Sequence, residues 1–188
     1  SDNLWKNPFN IGDVEMINEN FDIKYMIGRK EKKKLRKIKN IEQFEKREVT
    51  PDGWISIQLG NYEYGFLTLD DSLPGFELLD VWFDAFKNVY IELQNNTTAE
   101  FEYWEGSEFF VFEKKDAAVH IAFYERKYPI INGRFAMNEK PTIELCADTT
   151  VSADIFFHVL KTRINEFWSE VGNLNAILKT YVEKCKII

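Results

Sequence analysis

Residues 54–69, Trp54-Ile-Ser-Ile-Gln-Leu-Gly-Asn-Tyr-Glu-Tyr-Gly-Phe-Leu-Thr-Leu69, form two strand-length runs around the pair Gly60-Asn61. A two-residue loop of this kind tolerates the positive φ that a tight hairpin needs. The loop also sets the register. Leu59 falls opposite Tyr62, Ile57 opposite Tyr64 and Ile55 opposite Phe66. These six side chains share one side of the ribbon, which is the expected core face.

Downstream of the hairpin, Asp70-Asp71-Ser72-Leu73-Pro74-Gly75 reads as a helix start. Asp71 or Ser72 supplies the cap, and proline is tolerated in the first turn. Phe76, Leu79, Phe83, Phe86, Tyr90 and Leu93 then recur every three or four residues, widened by Trp82 and Val89. That spacing predicts an amphipathic helix to about residue 94. Runs at 99–104, 108–113 and 117–125 are strand-like, and the short polar loops between them make neighbours antiparallel. Residues 126–141 are irregular, and 142–147 make a further strand. Asp148 or Ser152 caps a last long helix, which carries Phe156, Leu160, Ile164, Phe167, Trp168 and Val171. Gly172-Asn173 is expected to stop or kink it before a shorter helix at 174–185.

Upstream, residues 1–20 show no period and 21–28 alternate like a short strand. Residues 30–47 suit a helix with Leu35, Ile38, Ile41 and Phe44 at intervals of three. The order is not a strict alternation of strand and helix, so a parallel sheet is not expected. The class is α+β: a mostly antiparallel sheet, hairpin plus meander, with amphipathic helices packed on one face. Residues 1–49 read as an N-terminal arm with a short strand and a basic helix, and 50–188 as a single α+β domain.

Aromatic residues are abundant among the 188 positions, with 16 Phe, 8 Tyr and 5 Trp. Their periodic placement assigns most of them to the core. Two cysteines, Cys146 and Cys185, are too few for a disulfide scaffold, so a reducing, cytoplasmic setting is expected. Cys185 lies among lysines, which would lower its pKa. No apolar run approaches the roughly 18 residues of a membrane span. Charge is uneven. The chain carries −7, yet residues 29–47 alone carry +7, leaving −14 on the remainder. An acidic body repels nucleic acid and favours basic partners.

Phosphate-binding glycine loops, metal-ligand spacings and nucleophile elbows are missing from the sequence, so no catalytic, metal or cofactor site is expected. The two histidines are His120, which alternates away from Val119 and Ile121, and His158. Glu77, Asp80 and Asp84 fall on a helix face expected to be solvated. The binding candidates are Trp54, the turn residues Tyr103 and Trp104, and the basic residues Lys32, Lys33, Lys34 and Arg36. The default expectation for the basic segment is pairing with the acidic body.

Four segments carry a resemblance: Trp54-Ile-Ser-Ile-Gln-Leu-Gly60, Leu69-Asp-Asp-Ser-Leu-Pro74, Phe101-Glu-Tyr-Trp-Glu-Gly106 and Val119-His-Ile-Ala-Phe-Tyr-Glu125. Together they resemble a loosely defined family of uncharacterised bacterial proteins, with a strand pair, an L-D-D-x-L-P helix start, a W-x-G turn and a final helix. The resemblance implies an immunity or accessory protein that acts by binding. It transfers no functional residue. The expected function is therefore a non-catalytic interaction protein with a protein partner, a basic one in the immunity-type case. Self-association stays open, and neither nucleic acid nor membrane is expected as a partner. The alternatives are a small enzyme with a carboxylate and histidine pocket, and a nucleic-acid-binding accessory protein using residues 29–47.

Overall fold

In chain order the elements are β1 (Phe21–Ile27), α1 (Arg29–Leu35), α2 (Glu42–Glu45), β2 (Gly53–Leu59), β3 (Tyr62–Gly65), α3 (Leu79–Asn95), β4 (Thr98–Glu102), β5 (Glu108–Lys115), β6 (Ala118–Lys127), β7 (Ile130–Ile131), β8 (Arg134–Phe135), β9 (Thr142–Ser152), α4 (Ala153–Leu174) and α5 (Ala176–Glu183). The computed structural model describes residues 20–70, 76–102 and 107–188. The expected caps Asp71 and Ser72 lie outside the described residues, as do Tyr103 and Trp104.

The β2–β3 hairpin adopts its expected register at Leu59 opposite Tyr62 and Ile57 opposite Tyr64. It ends early. Gly65 has φ 70°, and a Cβ there would collide with the Ile55 carbonyl oxygen. The chain therefore leaves the sheet at Gly65, and Phe66 is exposed rather than paired with Ile55. The other edge of β2 is taken by β1, antiparallel from Phe21 opposite Leu59 to Ile27 opposite Gly53. The expected boundary near residue 50 thus separates no packing units. Phe21, Ile23, Leu35, Ile38 and Phe44 share one core with the later helices.

A second antiparallel sheet runs β4-β5-β6-β9, and β7 and β8 make a small hairpin within the segment read as irregular. The strand expected at 142–147 extends to Ser152, because β9 stays paired with β6 through to Ala118 opposite Ser152. The fold is α+β with mostly antiparallel sheet, as the sequence predicts. The inner faces of both sheets rest on α3 and α4. Phe83 of α3 stacks on Phe167 of α4 at 4.2 Å and 11°. Tyr25 of β1 meets both rings edge-on, at 5.2 and 5.3 Å. Trp82 packs on Phe101 of the second sheet, and Phe156 on Phe112. No helix among the described residues is long and apolar enough to cross a membrane.

Helix α3 begins at Leu79, not near Ser72, so Phe76 is not on its stripe. Glu77 instead bridges to Gly53 through two backbone hydrogen bonds, which holds the chain extended there. The basic segment is two short helices rather than one. Residues spaced by three fall about 60° short of a full turn at each step, so four of them wrap half-way round a straight helix. Breaking the helix after Leu35 lets Leu35, Ile38 and Phe44 all reach the core.

Gly172 does not stop α4, which runs on to Leu174. A Cβ at Gly172 would sit 2.6 Å from Val182 Cγ2, so this glycine gives α5 room to lie against α4. The break comes at Asn175, whose Oδ1 accepts from the Ile177 amide and caps α5. Its Nδ2 donates to the carbonyls of Leu35, Arg36 and Ile38 at 3.2, 3.3 and 2.9 Å. One amide therefore starts α5 and satisfies the open end of α1.

Asp80, expected on a solvated face, is buried and held by Arg47 at 2.6 and 3.2 Å.

Asn175→Ala should destabilise the protein by about 2 kcal/mol, the sum of a lost cap and orphaned carbonyls. Asn175→Ser should recover roughly half, because it restores the cap but not the donors to α1. Urea denaturation of the three proteins checks both values. Arg47→Ala should cost about 2 kcal/mol by leaving a buried carboxylate unpaired, discounted for the partly exposed guanidinium. The same measurement reads it.

Candidate functional site

Along the inner face of the second sheet, side chains change from apolar to acidic toward one end. On β5 the order is Phe112, Phe110, Glu108; on β6 it is Ile121, Phe123, Glu125. The antiparallel register sets Glu108 opposite Glu125, and Glu125 opposite Glu144 of β9. Three carboxylates thus form a ladder across three adjacent strands. Directly opposed side chains are roughly 5 Å apart at Cβ, and like charges so placed repel.

The hairpin supplies a wall. Tyr64 of β3 packs against Phe110 and Phe123 at 5.8 and 5.3 Å, and its hydroxyl donates to Glu108 at 2.8 Å. Tyr62 stacks on Phe123 at 5.9 Å yet keeps 36% of its surface exposed. Lys127 pairs with Glu144 at one end of the ladder. Glu125, the central rung, has no ion-pair partner among the described residues. Arg126 points to the opposite face, where it lies over the Phe109 ring at 4.4 Å and pairs with Glu102 at 3.0 Å.

The site's field is negative, and its neighbours register it. A register shift between Phe123 and Tyr124 makes room for Cys146 beside the ladder. Burial, then Glu125 and Glu144, push the Cys146 thiol up. Burial, then Cys146, Glu125 and Glu108, push the Tyr62 phenol up. A thiol so raised is a poor nucleophile at neutral pH. What the arrangement does well is hold a cation: carboxylates accept from an ammonium or guanidinium, and the exposed Tyr62 ring offers a face for it.

No family model, curated protein or solved structure matches the chain.

Of the residues singled out from sequence, Trp54 and the basic group lie elsewhere. Trp54 is 1% exposed, with Phe76 edge-on against it at 4.8 Å. It is not a surface group, because the extended segment at 76–78 covers the second face of β2. Lys32 pairs with Glu170 at 2.6 Å, and Lys34 with Glu31 on its own helix at 3.0 Å. Lys33 and Arg36 are exposed, with no ion pair among the described residues. Pairing with the acidic body therefore accounts for Lys32 and no other member of this basic group.

His120 does face away from Val119 and Ile121. Its Nδ1 lies 3.1 Å from Thr150 Oγ1, and Nε2 lies 3.8 Å from Asp148. His158 is exposed. Among the described residues no three His, Cys, Asp or Glu side chains are grouped to hold a metal. Cys185 departs from expectation. Burial and Asp84 outweigh Lys87 and Lys184 and push its thiol up to about 11.

Cys146 is a built-in reporter of the ladder. In a Cys185→Ser background, Glu125→Gln should lower the Cys146 pKa and raise its thiolate fraction at pH 8. Its reaction with an aromatic disulfide should then run about threefold faster, a shift of about half a pKa unit. An unchanged rate would mean that Glu125 does not set the potential at this site.

Proposed function

We propose that this protein is a non-catalytic binding protein that captures a basic protein partner at the Glu108–Glu125–Glu144 ladder. The observation that carries the reading is a central carboxylate with no ion pair of its own among the described residues, two acidic neighbours opposed to it across the sheet and an exposed tyrosine at its side. Opposed like charges weaken a free sheet, and a cation inserted among them turns the same repulsion into attraction. The −14 charge outside residues 29–47 draws such a partner in from a distance. An immunity-type role, in which the captured protein is a basic toxin held inactive, is the specific form of this reading. The resemblance in the four quoted segments supports it.

The ladder should show a stability–function trade-off. Glu125→Gln should stabilise the free protein by about 0.5 kcal/mol, the scale of one relieved cross-strand repulsion. It should also weaken partner binding by about tenfold or more at low salt. Thermal melts read the first effect. Affinity capture from the source organism's lysate with wild-type, Glu125→Gln and Lys33→Ala baits reads the second. A stoichiometric basic protein retained by wild type and Lys33→Ala but lost by Glu125→Gln is the expected result. Equal retention by all three, or none by wild type, would overturn the reading.

A further inference from the structure

Strand β9 closes the second sheet on one side, and β6 is its only strand neighbour among the described residues. Residues 142–145 are all exposed, with Ile143 at 53% and Leu145 at 45%. The β7–β8 hairpin leaves the same end of the sheet and adds exposed Ile130, Ile131 and Phe135. Strand edges are ordinarily blunted by lysines, prolines or a covering loop, because unpaired backbone groups recruit other strands. This edge alternates apolar and acidic residues instead: Ile143 and Leu145 on the outer face, Glu144 on the ladder side, and Asp148 further along.

That pattern selects its occupant. A second copy of β9 laid antiparallel about Glu144, across the exposed residues 142–145, would set Glu144 directly against its own copy, a like-charge clash. A strand of alternating basic and apolar residues would instead place a cation beside Glu144 and apolar groups beside Ile143 and Leu145. We infer that the partner docks by adding an extended cationic–apolar segment to the free edge of β9, as a fifth strand whose basic residue forms the next rung after Glu108, Glu125 and Glu144. Main-chain hydrogen bonds then supply affinity, and the alternation of side chains supplies selectivity. The inference rests on the reading that the ladder binds a basic partner.

The probe is a fluorescein-labelled ten-residue peptide of alternating lysine and valine. Two derivatives are compared, one N-methylated at every lysine and the other at every valine. All three peptides keep the same charge, and they are compared on the unaltered protein, with Glu125→Gln as the control for the ladder. Backbone amides of a strand point alternately to its two sides, so only one derivative blocks the edge that meets β9. Fluorescence anisotropy at low salt should show binding by the parent peptide and one derivative, and a loss on the order of tenfold for the other. Hydrogen exchange should slow with the parent peptide at those amides among Ile143, Glu144 and Leu145 that point away from β6. Equal binding by all three peptides, weakened by Glu125→Gln, would overturn the added strand and leave the ladder standing. Binding by none would overturn both.

Discussion

The stack of Phe83 on Phe167 is the contact on which the other elements depend. It fixes α3 against α4, and Tyr25, edge-on to both rings, ties β1 to the pair. Ring pairs of this kind add about 0.5–1.5 kcal/mol each beyond the area they bury. Their larger effect here is geometric. Once the two helices are set, both sheets lay their aromatic faces on the same support. Trp82 then meets Phe101 and Phe110, while Phe21 and Phe112 meet Phe156.

The acidic ladder is the counterpart of that core. On β5 and β6 the inner face changes from phenylalanine and isoleucine to glutamate, with Tyr62 and Tyr64 packed at the change. Because β5, β6 and β9 are adjacent paired strands, the backbone positions of the three glutamates are fixed side by side. A flexible loop bearing three acids would spread them. A sheet keeps their backbone positions opposed, which lowers the ordering cost of the proposed cation binding.

Sequence reading reached the elements whose signals are local. The Gly60-Asn61 turn set the hairpin register, ring periodicity found α3 and α4, and short polar loops made the meander antiparallel. It failed where distant parts of the chain decide. Trp54 looked available because nothing local shows that residues 76–78 return to cover the second face of β2. Gly172 looked like a stop because its clash partner, Val182, lies on the next helix. Asp80 looked solvated because Arg47 reaches it across 33 residues. The site was not legible. Strands read as 108–113 and 117–125 do not set Glu108 opposite Glu125, which follows from β5 running on to Lys115, and Glu144 enters the ladder only through the register shift at Phe123 and Tyr124.

Asn175 has a consequence for how the chain comes to be folded at all. Leu35 leaves the ribosome 140 residues before the side chain that donates to its carbonyl. Until then the end of α1 is open to water, and the lysine-rich helix has little to hold it. The order of synthesis therefore runs against the order of closure: β1 can pair with β2 as soon as residue 59 is made, whereas the carbonyls at the end of α1 wait for a side chain added 140 residues later.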